Sequence, residues 1–413
     1  MPDTHTIKAT TLSDFRRDVF SLIEPDAQPL PKSVAVAYVW PTELCSIGCA
    51  HCNFASPKKG IEMRRQLADR AEELVQWLSG ADCRTLVVCG GGEPLEEPDF
   101  ITQALIYCAR AGINFEIYTS GTSLNREIDI RSLVREWNAI WQKRRTAADL
   151  PRVRLSVDAF HEEKIGLTPL VTWINAIEQE AASWTIALRG VRLSNDDSLE
   201  RLSEALQAEL TYAHSGLAHL KLPSGRQIRA ELKGLVFDGR ASLRALAQRG
   251  LALASDDAEI ISRLTEKHGS SRPLGRPLSA RLTVTIRRID LEVHSDGVVH
   301  VLESQASDIR LNLFDFTWAQ IRDVYYRDPI LHRVAGCGLP AVAKIIQKAF
   351  EFGIAPASVI PHSIELLEDR PTLDFVTAMS ILLNAPRFSY PESAISLARD
   401  LLAPYPVVMR DLL

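Results

Sequence analysis

The segment Cys45-Ser-Ile-Gly-Cys49-Ala-His-Cys52 puts three thiols into one short loop directly after an apolar run, Val34 to Trp40. The C-x3-C-x2-C spacing suits three of the four irons of a cubic [4Fe-4S] cluster and leaves the fourth iron free for a small-molecule ligand. The chain has seven cysteines in 413 residues, and three of them reach this spacing by chance with a probability of about 0.002. A structural zinc site is the rival, but closed zinc sites want four tetrahedral ligands, commonly in two separated pairs. His51 lies between two of the cysteines and is badly placed to close on the same ion, and no second Cys-x2-Cys or His-x3-His pair follows. A Cys-x2-Cys thiol redox pair is the other alternative.

A second segment, Val87-Val-Cys-Gly-Gly-Gly-Glu93-Pro94, follows in the chain. Arg84 to Cys89 is apolar and β-branched and reads as a buried parallel strand, after which Gly90, Gly91 and Gly92 let backbone approach a neighbour closely. A glycine turn shaped by Pro94 accounts for the same residues structurally. Together the cysteine loop and this segment resemble the radical S-adenosylmethionine (SAM) superfamily, with its CxxxCxxC loop and GGE motif. The resemblance implies one [4Fe-4S] cluster on Cys45, Cys49 and Cys52, with SAM chelated at the open iron. It also implies that Gly91, Gly92, Glu93 and Pro94 lie against SAM, Glu93 accepting a hydrogen bond from its ammonium group.

Downstream, strand-like and helix-like segments alternate. Helical spacing covers Gln66 to Leu78, Pro98 to Ala111, about Ile128 to Arg145 and about Leu170 to Ser183. Further strands are expected at Ile113 to Tyr118, Val153 to Val157, Trp184 to Leu193 and Ala230 to Phe237, with a helix after Asn195 and a loop near Pro223. This alternation predicts an α/β chain with a parallel sheet, and the resemblance makes it a partial (β/α)6 TIM-type barrel. Chemistry in such barrels collects at the carboxyl ends of the strands. The resemblance therefore directs Ser120, Ser156, Asp158 and Asn195 toward SAM, and places His51 beside its adenine. Ser156 and Asp158 have an ordinary alternative as turn residues. His161, followed by Glu162 and Glu163, reads as a helix start that could still face substrate.

The expected organisation is an N-terminal extension over 1–33, the barrel over 34–242, a helical bridge and linker over 243–280, a smaller α+β domain over 281–358 and a helical tail over 359–413. In the fourth of these, Leu282 to Val293, the turn Ser295-Asp-Gly297 and Val298 to Leu302 read as a hairpin, and Leu313 to Ile321 leads into a helix. The order resembles the SPASM or twitch extension of the same family, but only Cys337 is present where auxiliary clusters need several thiols. Cys337, flanked by Gly336 and Gly338, is a candidate hydrogen-atom donor to a substrate radical, with an incidental thiol as the plain alternative.

Net charge of −5 and a pI near 6.1 supply no general attraction to nucleic acid. No apolar run approaches the ~18 residues of a membrane span, and the first residues lack the apolar core of a secretion signal. Unpaired cysteine spacing and an exposed cluster favour a reducing compartment, so the expectation is a cytoplasmic enzyme. The resemblance implies hydrogen abstraction from a substrate and an electron donor such as flavodoxin or ferredoxin. A small metabolite, a sugar or amino-acid derivative, is preferred to a ribosomal peptide, because only 33 residues precede the first strand. Maturation of such a peptide is the alternative, and a zinc-stabilised interaction module is the non-enzymatic one.

Overall fold

The computed structural model of the chain describes residues 32–52, 54, 56–58, 66–144, 148–214, 216–233, 243–253, 288–300, 311–327 and 399. Contacts divide the chain into two compact units. One is Val34–Ala258 with Asp290–Val298, and the other is Met1–Ser33, Glu259–Ile289 and Val299–Leu413. Residues 243–258 and the turn at 295–297, assigned from sequence to the bridge and the C-terminal domain, thus group with the first unit.

In that unit Ser33–Val39 (β1), Thr85–Val88 (β2), Asn114–Thr119 (β3), Arg152–Ser156 (β4) and Thr185–Val191 (β5) pair in order, each parallel to the last. A short strand, Leu193–Ser194 (β6), follows β5, and Gln227–Lys233 (β9) is the next parallel neighbour of β5. The sheet is therefore mostly parallel and open, the α/β arrangement expected of a partial barrel. Before β9 the chain inserts Glu209–His214 (β7) and Leu217–Lys221 (β8), which join β9 in an antiparallel meander. Sequence had left these residues as a helix and a loop, because the strands are short and their outer face is polar. The loop near Pro223 is the tight turn between β8 and β9, with Gly225 at φ 89° and Leu222 N–H donating to Arg226 O at 2.8 Å. At the other edge, Asp290–Val293 lies beside β1, and Trp40 N–H donates to Val293 O at 2.9 Å.

Helices fill the crossovers. Ala71–Gly80 (α1) starts later than its periodicity suggests, because Leu67 N–H is taken by Ser295 O and Arg70 becomes the cap. Pro98–Ala111 (α2) matches its predicted bounds, with Pro98 at the first turn and Gly112 stopping it in the left-handed conformation at φ 77°. Ile130–Gln142 (α3) is capped by Asp129, whose carboxylate accepts from Ser132 N–H at 3.1 Å. The crossover after β4 holds two helices where one was expected. Ala159–Ile165 (α4) ends at Gly166, at φ 65°, and Thr168–Glu180 (α5) restarts with Pro169 in its first turn. Ser198–Ala205 (α6) follows β6. Leu243–Gln248 (α7) precedes Ala252–Leu253 (β10), which pairs antiparallel with β6.

The two sheet faces differ in kind. Ala37, Val39, Leu86, Val88, Phe115, Ile117, Val153, Leu155, Ile186 and Leu188 alternate toward the helices and are buried. The intervening positions are Tyr38, Glu116, Tyr118, Arg152, Arg154, Ser156, Arg189 and Glu231, brought side by side by the strand registers.

In the second unit, among the described residues, Val299–His300 is a short strand and Trp318–Arg327 (α8) a helix. A capping box starts α8, Gln320 Oε1 accepting from Thr317 N–H at 2.8 Å and Thr317 Oγ1 from Gln320 N–H at 3.3 Å. Cys337, the 269–277 linker and, apart from Arg399, the 359–413 tail lie outside the described residues. No helix among the described residues is long and apolar enough to cross a membrane.

Trp173 of α5 is completely buried, lies 5.9 Å from the Trp137 ring and donates from Nε1 to Gly121 O at 2.9 Å. Trp173→Ala is expected to cost about 3 to 5 kcal/mol in urea unfolding; a loss below about 1 kcal/mol would contradict this packing.

Candidate active site

The cysteine loop leaves β1 through Trp40 and is fastened to the end of β2 by backbone. Gly92 N–H donates to Thr42 O and Glu93 N–H to Leu44 O, each at 3.0 Å. That approach needs glycine: a Cβ on Gly92 would stand 2.1 Å from Leu44 O, and one on Gly91 2.7 Å from the Trp40 ring. Further along, Ser46 N–H donates to Glu96 Oε1 at 3.0 Å, and Leu124 N–H to Ser46 Oγ at 2.8 Å. Cys45 N–H reaches Pro57 O at 3.0 Å and Cys52 N–H reaches Cys49 O at 3.3 Å. The three cysteines are brought into one loop, none in a disulfide, at the carboxyl end of the sheet.

Glu93 is 4 % exposed and its carboxylate is saturated by the protein. Oε1 accepts from Leu95 N–H at 3.1 Å and from the Thr119 hydroxyl, while Oε2 accepts from Ser120 N–H at 3.0 Å and Ser120 Oγ at 2.6 Å. Burial pushes its pKa up, and these donors oppose that shift. Glu93 and Ser120, both directed toward SAM by sequence, are therefore engaged with each other and join the ends of β2 and β3. Pro94 opens the short 3-10 turn Pro94–Glu96.

The end of β4 carries a second group. Asp158 is 3 % exposed and caps α4, accepting from Phe160 N–H at 3.1 Å and His161 N–H at 3.0 Å. His161 Nδ1 lies 2.9 Å from both Asp158 oxygens, and His51 Nε2 lies 3.7 Å from one of them. Burial would raise the Asp158 pKa, but His161 and His51 outweigh it and hold the carboxyl well below its usual range. Burial opposes charge on His161, yet Asp158 lifts its pKa well above the ordinary value. His51 goes the other way, to about 4, because of burial. Its ring stacks on Phe160 with centroids 4.6 Å apart. Ser156 lies on the polar sheet face. Asn195 is exposed in a left-handed turn at φ 62°, and its neighbour Asp196 is the residue that turns inward, accepting from Ala159 N–H at 3.1 Å. Asp196 and the Asp158–His161 pair escaped sequence reasoning as a joint feature, although Asp-x-x-His at a strand end was the available signal.

Residues 40–194 match the family model described as the Radical SAM superfamily. The chain carries a radical SAM domain. No curated protein matches the chain. The matched segment holds the cysteine loop, the glycine triplet with Glu93 and the Asp158–His161 pair. Such a domain makes the protein an enzyme and implies a [4Fe-4S] cluster, SAM, a substrate and a reductant. The donor set fits the cluster: three free thiols on one loop, with four hydrogen bonds, one from Gly92, one from Glu93 and two at Ser46, holding that loop in place. Burial pushes the Cys45 thiol up to about 11 in the metal-free loop.

Two substitutions test this scaffold. Gly92→Ala is expected to cost about 1 to 3 kcal/mol in denaturant unfolding, because Leu44 must move to admit the methyl group. Glu93→Gln sets an amide NH2 against N–H or hydroxyl donors and is expected to cost about 1 to 3 kcal/mol. Wild-type stability in both variants would show that the loop is not held this way.

Proposed function

We propose that this radical SAM enzyme abstracts hydrogen from a C–H bond of a small polar metabolite, such as a sugar or amino-acid derivative, in a reducing cytoplasmic compartment. The observation that carries the substrate class is Arg154. Its guanidinium lies 3.2 Å from the Tyr118 ring centroid on the polar face of the sheet. Its neighbours there are neutralised: Arg152 pairs with Glu116 at 3.1 Å, Arg189 with Glu231 at 3.1 Å and Arg229 with Glu231 at 2.7 Å. No described carboxylate pairs with Arg154. A guanidinium held over an aromatic ring with no carboxylate partner can still donate to oxygen atoms, which favours a hydroxylated or anionic small molecule.

In this reading Cys45, Cys49 and Cys52 would hold three irons, and the cluster with SAM would supply the hydrogen acceptor. Glu93 ties the ends of β2 and β3 to the cysteine loop through its carboxylate and its backbone N–H. Ser156, one alternation beyond Arg154 toward the strand end, would offer SAM a hydroxyl on that face. Arg154 and Tyr118 orient the substrate. The reductant is a small electron carrier of the flavodoxin or ferredoxin kind.

Anaerobic reconstitution is expected to give about four irons and four sulfides per chain. Cys45→Ala, Cys49→Ala and Cys52→Ala should each lose cluster absorbance and SAM cleavage together; full activity with intact iron in Cys49→Ala would end the reading. Incubation with candidate metabolites or peptides deuterated at their C–H bonds, followed by mass spectrometry of the 5'-deoxyadenosine formed, identifies the substrate as the compound whose deuterium arrives at the 5' carbon. Deuterium delivered by a ribosomal peptide and by no metabolite would overturn the small-molecule assignment.

A further inference from the structure

Within its own segment His51 sits between two cysteines, badly placed to share an ion with both. The fold changes that by bringing His161, from the far end of β4, to the same place. The Cys49 sulfur and one ring nitrogen from each of His51 and His161 all lie within 4.8 Å of one another. In a tetrahedral zinc site a sulfur and an imidazole nitrogen stand about 3.5 Å apart, so these three donors need only a small inward movement to share one ion.

The surroundings are those of a metal tripod. The Asp158 carboxylate holds His161 Nδ1 at 2.9 Å, the arrangement in which a second carboxylate fixes the ring so that its opposite nitrogen faces the ion. Asp158 is itself held by Phe160 and His161 N–H, so it orients and does not ligate. His51 Nδ1 is buried with no hydrogen-bond partner, a state that leaves a nitrogen lone pair or N–H unsatisfied. The His51 ring is fixed between Phe160 and His161, edge-on to the latter with centroids 5.0 Å apart. Its side chain is 13 % exposed and that of His161 17 %, so water competes weakly for these nitrogens.

We propose that Cys49, His51 and His161, with Asp158 behind His161, form a mononuclear site for one divalent cation of the zinc type, and that this ion and the [4Fe-4S] cluster exclude one another because both need the Cys49 sulfur. One thiolate and two imidazoles are a borderline donor set suited to zinc or cobalt, and three protein ligands leave the fourth position to water. Binding expels the Cys49 thiol proton and any proton on the inner nitrogen of His161, and no electron moves. The loop then has two metal states, and the supply of zinc relative to iron and sulfide selects between them. Only the exclusion clause rests on the proposed function; the tripod stands on geometry alone.

The test uses the full-length protein free of metal, titrated anaerobically with Co2+, whose visible bands report tetrahedral geometry and whose near-ultraviolet charge-transfer band reports a thiolate ligand. One equivalent is expected to bind, displaceable by Zn2+. The Cys45→Ala/Cys52→Ala double variant should retain both bands. Cys49→Ala should lose the charge-transfer band, His51→Gln and His161→Gln should lose the tetrahedral spectrum, and Asp158→Asn should bind about 10- to 100-fold more weakly. Circular dichroism separates any misfolded variant, and His161→Asn replaces His161→Gln if the latter fails to fold. Cobalt binding abolished by the double variant but unchanged in His51→Gln and His161→Gln would place the ion on the three cysteines and overturn the tripod. Protein that takes up a full cluster while keeping its zinc would overturn the exclusion. A wild-type chain that binds cobalt through the histidines but never assembles a cluster would sink the proposed function and leave the tripod standing.

Discussion

The buried carboxylate of Glu93 is the point on which the site depends. Its four donors come from the turn after β2 and from the end of β3, while its own backbone N–H reaches back to Leu44 in the cysteine loop. Three segments distant in sequence are thereby fixed by one residue. An ionised carboxylate out of water is costly unless its lone pairs are filled, and here they are filled by short, charge-assisted bonds. The cysteine loop has little packing of its own: Ile47 and Cys49 join a small cluster with Phe160, Leu193 and Leu246, and the rest of its support is backbone hydrogen bonding. Removing the carboxylate's partners would therefore loosen the loop before it loosened the sheet.

Chemistry is placed by the difference between the two sheet faces. Parallel strands covered on both sides read as continuous apolar runs, since helices pack on each face. Here β3, β4 and β5 alternate, apolar toward the helices and charged on the other side. A face bearing Glu116, Arg152, Arg154, Arg189 and Glu231 has not been built to receive a helix. Its ion pairs hold the long side chains in place, and the aromatic ring of Tyr118 supports the one guanidinium among them that no described carboxylate neutralises. The cysteine loop and the capped start of α4 share the carboxyl end of the sheet because β1 to β5 and β9 all run in the same direction.

Much of the framework was legible because period and punctuation agreed. Pro98 and Gly112 bracket α2 with the residues that start and stop helices, and the apolar runs of β1 to β5 have no competing helical spacing. The hairpin of β7 and β8 was not legible: its outer positions are polar, its strands are short, and its pairing is fixed by β9, which comes later in the chain. The roles of single residues were harder still. Glu93 accepts from both Ser120 N–H and Ser120 Oγ, at 3.0 and 2.6 Å, a pairing across two strand ends that neither motif contains. Asn195 is exposed in a left-handed turn, and it is the neighbouring Asp196 that accepts from Ala159 N–H at the start of α4. Motifs locate such a site; which side chains remain free in it is decided by tertiary hydrogen bonds that no spacing records.

His51 shows how far that limit extends. Within its own segment it competes with three cysteines and cannot help to close a four-ligand zinc site, so spacing alone excludes it. Ligand sets, however, are assembled in space, and a loop at the end of β1 is completed by whatever the end of β4 presents. Asp158 is held by the first N–H groups of α4, His161 is held by Asp158, and His51 is held by the ring of Phe160, one residue from His161. The same short helix start therefore orients every nitrogen near Cys49. A loop built for three irons then has a second use of one of its sulfurs, and the two uses differ in what they ask of the chain: three thiolates in one case, one thiolate with two imidazoles in the other. Because the Cys49 sulfur belongs to both sets, the choice between them is made by the metal that arrives, while the protein fixes only the positions at which it can be held.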